Sequence, residues 1–522
     1  MPTLTKGFSA QRGTEIAIID EFGTITWAEL DERVNRLVNA LRARGLARGE
    51  TVAIVAGNRR EWFELALACA HGGWTYVPVN WHWVVEELAY VFEDAEVAAV
   101  FADVRYADKV AEALKKERSG YIRLAVGIAT GGAYGHEAFV PYEDIVAEGS
   151  PAEPSEVSFG GPMFYTSGTT GKPKGVRGML SGNSETTLDI MQFISAGFGG
   201  LLPIPGRTLL CGPVYHSAQW VFSFFPMLGG SSVVMQHKYD SKGVLELIDR
   251  HGCTNVHLVP TQMKRLLDLP HSVKESYSGK TMMAVWHGGA PCPPKIKKEI
   301  IDWWGPKVNE YYGSTEGAIV STISSEEWLR KGGSVGKPVE MVEVIVVDEH
   351  GNRFGLNQEG TLYFRSLLGM AFEYHKDKAK TRAAHLEPGV FTTGDMGYLD
   401  DEGYLWLSDR RIDMIISGGV NIYPAEIEGV LGGHPDVEDL AVFGIPDDEF
   451  GEQVKAVVKT ARGIEQGDDL AKQLIDYCRN HLAGYKAPKT IDFVDEIPRT
   501  GTGKIKKSVI RAPYWEGYRR KI

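Results

Sequence analysis

The order of apolar segments near the N-terminus is the feature that most constrains the fold. An apolar strand at 51–57 (TVAIVAG) is followed by a helix at 61–73 and by a second strand at 75–80 (TYVPVN). Two strands joined by one helix run parallel when they share a sheet. The alternation returns in the apolar segments 208–214, 231–236, 244–259 and 281–286. The sequence therefore predicts an α/β body that occupies about the first 400 residues.

One helix can be placed closely. Thr26 and Glu29 have the spacing of a capping box, and a glycine, Gly45, provides a stop. Apolar residues recur between them at helical intervals, namely Trp27, Leu30, Val34, Leu37, Val38 and Leu41.

The pattern changes after residue 340. Short alternating strands joined by polar, glycine-containing turns predict a small β-subdomain. A charged segment, DRRID at 409–413, then precedes a unit of about 110 residues, the size of an independent domain. That unit has strands predicted at 437–445 and 453–459 and a helix at 467–482, with Leu470, Leu474, Cys478 and Leu482 facing inward. We expect domains at 1–409 and 410–522.

Composition excludes several classes of protein. A formal net charge of −12 argues against nucleic-acid binding, which draws most of its affinity from a basic surface. Five scattered cysteines suggest neither a disulfide framework nor a zinc site. No stretch approaches about 18 uninterrupted apolar residues, and the N-terminus has no signal-peptide pattern. We expect a soluble, cytoplasmic protein without a transmembrane segment; peripheral membrane contact and a homodimer remain open.

Residues 165–175 (YTSGTTGKPKG) combine glycines, hydroxyls and two lysines, a composition that suits a polyphosphate. The segment is not a Walker A loop, because Pro173 follows Lys172 where that motif needs a serine or threonine. A flexible linker is the alternative, but apolar segments flank the loop on both sides.

Five further segments could carry chemistry. Each has a structural explanation when taken alone: a turn, a hairpin, core tyrosines or a solvated lysine face. They are HGGAP (287–291), NEYYGSTEG (309–317), TTGDMG (392–397), DRRIDMIISGGVNIYPAEIE (409–428) and PRTGTGKIKK (498–507).

Together with the glycine-rich loop, these segments resemble the adenylate-forming enzymes: acyl- and aryl-CoA synthetases, luciferases and nonribosomal peptide adenylation domains. The resemblance covers residues 14–510 and is strongest to a bacterial fatty acyl-CoA synthetase. It implies a large N-terminal body of two α/β sheets and a small β-barrel, with a smaller, mobile α+β C-terminal domain. It also implies that a carboxylate attacks the α-phosphate of ATP, giving an acyl-adenylate and pyrophosphate, before a thiol takes the acyl group.

The resemblance assigns roles to individual residues. The residues that would hold the β- and γ-phosphates of ATP are Thr166, Ser167, Gly168, Thr169, Thr170, Gly171 and Lys174. Tyr312 would stack on adenine opposite Gly288, Gly289 and Ala290, Thr315 would contact the α-phosphate, and Asp395 and Arg410 would bind the ribose hydroxyls. The other residues grouped with the nucleotide are Tyr311, Gly313 and Ser314. Glu316 binds Mg²⁺, His216 lies beside the substrate carboxylate, and Lys504 bridges that carboxylate and the α-phosphate. After rotation of the C-terminal domain, Ser417, Gly418 and Gly419 guide the thiol.

The chain departs from the family pattern at the hinge. The position two after Arg410, commonly Asp or Lys, is Ile412, with Asp413 following it, so the hinge residue stays unassigned.

Coenzyme A is the expected acceptor. Residues 498–522 contain eight Lys or Arg against one Glu, which suits its phosphates. Because few residues follow Lys504, we expect no carrier domain in this chain.

The substrate is expected to be a hydrophobic carboxylic acid. Residues near the expected pocket are apolar or aromatic, namely Val214, Tyr215, Trp220, Phe222, Phe225 and Val259. A medium- to long-chain fatty acid leads, and aromatic or steroid-like acids come next.

Three alternatives stay open. One is a stand-alone adenylating enzyme that passes an aromatic or other bulky acyl group to an amine or a carrier protein. A P-loop NTPase is disfavoured by Pro173. A catalytically idle AMP-binding protein is disfavoured by the presence of Lys504.

Overall fold

The computed structural model describes residues 4–116, 119–129, 136–155, 158–166, 173–178, 194–198, 200–290, 292, 294–348, 350–367, 372–410, 414–498, 505 and 507–518. The helices are α1 (Lys6–Arg12), α2 (Trp27–Ala43), α3 (Arg60–Gly72), α4 (Val85–Asp94), α5 (Ala107–Lys116), α6 (Tyr142–Glu148), α7 (Ser217–Leu228), α8 (Ser241–His251), α9 (Pro260–Leu267), α10 (His271–Ser276), α11 (Pro294–Trp304), α12 (Ser325–Arg330), α13 (Lys378–Ala383), α14 (Pro424–Leu431), α15 (Asp468–His481) and α16 (Lys507–Arg511).

Two largely parallel sheets form the N-terminal body. The nine-stranded sheet has the order β16 (Lys337–Pro338), β15 (Ala318–Ile323), β14 (Val308–Ser314), β13 (Ala284–His287), β12 (Asn255–Leu258), β10 (Arg207–Leu210), β11 (Ser232–Met235), β1 (Ile16–Asp20) and β2 (Gly23–Thr26). The five-stranded sheet has the order β4 (Thr75–Pro78), β3 (Thr51–Val55), β5 (Val97–Asp103), β6 (Leu124–Ile128) and β7 (Val140–Pro141). The predicted parallel pairing of 51–57 with 75–80 is confirmed.

Helices α2, α3 and α7 lie between these sheets. The apolar faces of α2, α3 and α7 share one buried cluster with residues of both sheets, including Ile54 and Phe101 of one and Val233 and Trp286 of the other. Helices α8, α9 and α11 cover the far face of the larger sheet, and α4 and α5 cover that of the smaller. The body is therefore a five-layer α/β/α/β/α sandwich.

Helix α2 begins and ends as its sequence predicts. Thr26 and Glu29 form the reciprocal capping box, and Gly45 adopts a φ of 84° just after the helix. The six apolar residues predicted to face inward have no exposed surface.

Two smaller antiparallel sheets complete the body. One has the order β20 (His385–Glu387), β21 (Val390–Phe391), β18 (Gly360–Ser366), β22 (Asp395–Leu399) and β23 (Leu405–Arg410), and β17 (Val342–Val347) also pairs with β18. The other has the order β19 (Glu373–Tyr374), β9 (Lys174–Arg177) and β8 (Phe164–Thr166). The β-rich region predicted after residue 340 is therefore present.

The C-terminal domain has its own sheet and core. The strands are β25 (Val420–Ile422), β24 (Ile415–Ser417), β27 (Gly451–Thr460) and β26 (Val437–Asp447), with β28 (Thr490–Phe493) paired to β27. Leu470, Leu474 and Cys478 of α15, and Leu482 after it, are buried against this sheet as predicted. The predicted α/β body with a separate, smaller C-terminal domain is confirmed.

A buried ion cluster fixes the C-terminal domain on the body. Lys486, which has no exposed surface, donates to Glu87 of α4 and to Glu426 of α14, both at 2.5 Å. Burial lowers the pKa of Lys486, but Tyr485 and the two carboxylates outweigh that effect, so the net shift is upward. The amide of Ala483 also donates to Glu87, at 3.1 Å. At the surface, Arg265 of the body pairs with Glu449 at 2.7 Å.

The state of the cysteines and the lengths of the helices can be read from the structure. The cysteines are free thiols, and four of the five are buried. Among the described residues, no helix combines the length and hydropathy that a membrane span needs.

The core of the C-terminal domain gives a stability prediction. Leu474→Ala should lower the free energy of unfolding of this domain by about 2–5 kcal/mol, because a fully buried leucine leaves a cavity. Hydrogen exchange of the amides of β26 and β27 in denaturant measures the change. Lys472→Ala, an exposed neighbour on the same helix, is the control, and equal effects of the two substitutions would contradict the assignment of this core.

Candidate active site

One large cavity opens between the N-terminal body and the C-terminal domain. Its volume is about 1480 Å³, more than the roughly 300–1,000 Å³ of a typical small-molecule pocket. The predicted site residues in its wall are Thr166, His216, Gly289, Ala290, Tyr311, Tyr312, Gly313, Ser314, Thr315, Glu316, Asp395 and Gly419. Segments far apart in the sequence therefore meet at a single site.

The glycine-rich loop is held at both ends by a hairpin. Thr166 at the end of β8 pairs with Lys174 at the start of β9. Lys174 lies 3.6 Å from Asp377, just before α13. The predicted phosphate-binding residues between the two strands, Ser167, Gly168, Thr169, Thr170 and Gly171, lie outside the described part of the chain.

A second lysine, Lys380 of α13, lies beside Lys174. Burial and then the neighbouring Lys174 lower the pKa of Lys380 to about 8, although Glu316 and Asp377 act in the opposite direction. Its ammonium also lies 4.3 Å from the ring centre of Tyr374. No signal in the sequence distinguishes Lys380, because it is one lysine in a short charged helix.

Tyr312 and Asp395, both predicted to bind the nucleoside, are in direct contact. The hydroxyl of Tyr312 donates to Oδ2 of Asp395 at 2.5 Å, and Thr393 donates to the same oxygen at 2.8 Å. Asp395 stands opposite Arg410 in the antiparallel pairing of β22 and β23. The proposed ribose-binding pair is thus in register, although the side chain of Arg410 lies outside the described part.

Thr315 and Glu316 follow the end of β14. The hydroxyls of Thr315 and Ser217 lie 3.0 Å apart, which joins β14 to the start of α7. Tyr374 donates a hydrogen bond to Glu316 at 3.2 Å. Burial, and then the charge of Glu316, raise the pKa of Tyr374 well above its usual range, so this hydroxyl remains a donor.

His216 caps the N-terminus of α7 and has a defined tautomer. Its Nδ1 accepts a hydrogen bond from the amide of Ala218 at 3.3 Å. Burial lowers the pKa of His216, so the ring is neutral at pH 7. A neutral ring whose Nδ1 is an acceptor carries its proton on Nε2. His216 can therefore donate to a carboxylate without bringing a formal charge.

Tyr311 and Tyr312 point in opposite directions, because successive residues of a strand alternate faces. Tyr312 packs with the β-subdomain, whereas Tyr311 packs with Phe222 and Trp286 between the two sheets. A Cβ on Gly288 would lie 2.6 Å from the Tyr311 ring. The two tyrosines therefore line different parts of the same cavity, and the predicted nucleotide-binding role of Tyr311 stays a prediction.

The SGG segment (417–419) lies at the tip of the hairpin formed by β24 and β25, and its two glycines form the two-residue turn. Gly418 and Gly419 have φ of 60° and 82°, the left-handed region that such a turn requires. The amide of Gly418 donates to Phe450 at 2.8 Å. A Cβ on Gly419 would lie 3.2 Å from Val259, so the tip lies against the N-terminal body.

Two further predictions fall outside the described part of the chain, namely Lys504 and the hinge segment that contains Ile412 and Asp413. The roles of the individual residues stay predictions, although the structure brings most of the described ones together.

Two family models match the chain. The model described as AMP-binding enzyme matches residues 7–375, and the one described as AMP-binding enzyme C-terminal domain matches residues 426–504. Similar proteins include an indoleacetate–CoA ligase of Aromatoleum aromaticum, 31% identical over 93% of this chain and 92% of that protein. The long-chain-fatty-acid–CoA ligase FadD13 of Mycobacterium tuberculosis is also 31% identical, over 94% and 93% of the two chains.

Solved structures agree in fold. The amide bond synthetase McbA of Marinactinospora thermotolerans superposes with a TM-score of 0.83 at 28% identity, covering 96% of this chain and 97% of that one. The o-succinylbenzoate CoA synthetase of Bacillus subtilis, 28% identical over 98% of both chains, gives 0.81 as a double mutant bound to a product analogue and 0.66 in complex with its acyl-adenylate. The matches to both domains confirm the resemblance seen in the motifs, and the chain belongs to the family of AMP-binding enzymes that contains the AMP-forming acid:CoA ligases.

Proposed function

We propose that this chain is an ATP-dependent, AMP-forming ligase that activates a hydrophobic carboxylic acid as its acyl-adenylate and transfers the acyl group to coenzyme A. The observation that carries the proposal is the single cavity in which His216, Thr315, Glu316, Asp395 and the Gly419 hairpin meet. Adenylation brings two anions together, so preorganised donors and positive charge lower its barrier. The cavity supplies the donors, and Lys174 and Lys380 supply the charge.

The carboxylate and the triphosphate have separate places in this proposal. His216 Nε2–H and Ser217 lie at the N-terminus of α7, where the helix dipole favours an anion. Lys174, Lys380 and the glycine-rich loop hold the pyrophosphate side. Thr315 lies next to the carboxylate end, with its hydroxyl 3.0 Å from that of Ser217.

The residues present fit a magnesium ion bound through ATP. Mg²⁺ usually binds one or two carboxylates, with phosphate and water oxygens as its other ligands. Glu316 offers one carboxylate in the cavity wall. When bound, the ion neutralises phosphate charge; the protein's own part is to hold Glu316 through Tyr374.

The arrangement of the two domains supports a thiol-transfer state. The Bacillus subtilis synthetase fits this chain better in its product-analogue complex than in its acyl-adenylate complex. Here the glycine hairpin enters the cavity, and the Lys486 cluster holds the C-terminal domain in that orientation. We propose a domain boundary near 409/410 and a rotation that brings Lys504 to the site for adenylation.

The acceptor has one competing proposal. The similarity to an amide bond synthetase favours an amine as the alternative to coenzyme A. Purified protein given ATP, Mg²⁺ and an accepted acid should form a thioester with coenzyme A. Adenylate without thioester in its presence, but amide with added amines, would favour the alternative.

Lys504 should separate the two half-reactions. Lys504→Ala is expected to abolish acid-dependent exchange of pyrophosphate into ATP, because the bridging cation is lost. A chemically made acyl-adenylate should still be converted to thioester at close to the wild-type rate. Lys506→Ala is the control, and equal loss of both steps in Lys504→Ala would refute the division of roles.

Gly419 should show the opposite selectivity. Gly419→Ala places a Cβ at a φ of 82° and 3.2 Å from Val259, so we expect thioester formation to fall about 10-fold, equivalent to the roughly 1–2 kcal/mol cost of left-handed backbone. Adenylation should change little. Gly403→Ala carries a similar strain at a φ of 80° in a remote turn and is the matched control. A larger loss of adenylation than of thioester formation would contradict this role.

Glu87 should matter through the domain interface, because a glutamine in its place can still accept from the amide of Val84 at the start of α4. Glu87→Gln removes one of the two anions that hold Lys486, and thioester formation from the acyl-adenylate should fall about 10-fold because fewer molecules hold the docked arrangement. Pyrophosphate exchange should stay within about twofold. Glu86→Gln, whose partner Lys116 is exposed, is the control; no difference between the two variants would show that the cluster does not control docking.

A further inference from the structure

Three buried polar side chains are joined in a row by hydrogen bonds, and the last of them lines the apolar part of the cavity. Nε2 of Gln219 lies 2.8 Å from Nδ1 of His257, and Nε2 of His257 lies 3.1 Å from the hydroxyl of Tyr311. All three residues are at most 8% exposed. The binding of ATP does not explain why these three polar residues lie beside a hydrophobic pocket.

The donor and the acceptor of each hydrogen bond among these three residues can be assigned. Gln219 Nε2 also lies 3.5 Å from the backbone carbonyl of His257, where an amide oxygen would be repelled. The amide nitrogen therefore donates to Nδ1 of His257. Burial lowers the pKa of His257 to about 3, so the ring is neutral and its single proton lies on Nε2.

Tyr311 is consequently an acceptor from His257, and its own proton is left to donate elsewhere. Among the described residues, the bond to His257 is the only hydrogen bond of this hydroxyl. Burial raises the pKa of Tyr311 above its usual range, so the hydroxyl keeps its proton. A buried donor without an acceptor costs free energy unless a ligand supplies one.

The surroundings of this hydroxyl belong to the acyl side of the cavity. Phe222 of α7 lies 5.1 Å from the Tyr311 ring and 4.8 Å from His257, and Phe222 and Tyr311 both line the cavity. Phe222 is five residues after Ser217, so roughly 7–8 Å of helix separates it from the predicted carboxylate end. The other rings in this wall are Phe164, Phe198, Trp220 and Phe225.

We propose that Tyr311 donates a hydrogen bond to an oxygen atom on the distal part of the acid, and that the substrate is an aromatic acid with a hydroxyl, methoxy or carbonyl oxygen. Phe222 and the other rings pack against its aromatic body, while Gln219 and His257 are positioning residues that keep the Tyr311 proton directed at the ligand. This inference rests on the proposed function and replaces a plain fatty acid with an oxygenated aryl acid as the expected substrate.

Matched pairs of acids test the proposal without any mutation. Acid-dependent pyrophosphate exchange is measured for benzoic, phenylacetic and cinnamic acids that carry either a methoxy or an ethyl group at the 3- or 4-position. Ethyl is the more apolar group of the same size, so hydrophobicity alone favours it. At least one pair should favour methoxy in kcat/KM by about 3- to 10-fold, the usual effect of one neutral hydrogen bond.

Variants then locate the donor. Tyr311→Phe should reverse the ratio of kcat/KM for the two acids in favour of ethyl, and Gln219→Met should give an intermediate ratio. Tyr312→Phe, on the opposite face of the strand, should lower activity on both acids and keep the ratio. Thermal unfolding establishes that each variant is folded.

The outcomes separate this inference from the proposed function. Exchange with aryl acids but with ethyl favoured in every pair, or a methoxy preference that survives Tyr311→Phe, overturns the role of Tyr311. Exchange with fatty acids alone overturns the aromatic substrate. No acid-dependent exchange with any acid overturns the proposed function itself.

Discussion

The packing of helices α2, α3 and α7 between two largely parallel sheets is the constraint on which the rest of the structure depends. Helices α2, α3 and α7 are covered on both sides, and the cluster that they share with the sheets has almost no exposed surface. Burial of this kind stabilises the folded state by roughly 25 cal/mol per Å² of apolar surface. The close packing that accompanies it gives the layer low compressibility. It fixes the N-terminus of α7 against the end of β14, where Ser217 and Thr315 meet at 3.0 Å.

The functional groups gather at the ends of strands because this scaffold leaves them one common edge. In open α/β sheets, ligands bind beyond the carboxyl ends of the parallel strands. Here that edge carries the segment after β13, the end of β14 and the start of α7, and the β-subdomain adds Asp395. The C-terminal domain closes the remaining side through a hairpin and a buried ion cluster, so one cavity contains groups contributed by two domains.

Local signals in the sequence predicted much of this arrangement. The Thr26 capping box, the parallel strands around α3 and the inward face of α15 depend on neighbours within one element or one crossover. The contact of Lys486 with Glu87 joins residues 399 positions apart and leaves no local pattern. The opposite orientations of Tyr311 and Tyr312 follow from the alternation of a strand, but the residues that each side chain meets depend on how β14 packs against distant elements. Lys380 was missed because its role depends on where β9 lies.

We propose above all that the cavity joins a carboxylate to the α-phosphate of ATP before any acceptor is needed. The most direct measurement is the exchange of labelled pyrophosphate into ATP by the purified protein, with Mg²⁺ and an acid but without coenzyme A, followed by analysis of the nucleotides. Exchange that depends on the acid is expected, with AMP as the nucleotide product. Formation of ADP and phosphate, or exchange that ignores the acid, would contradict it.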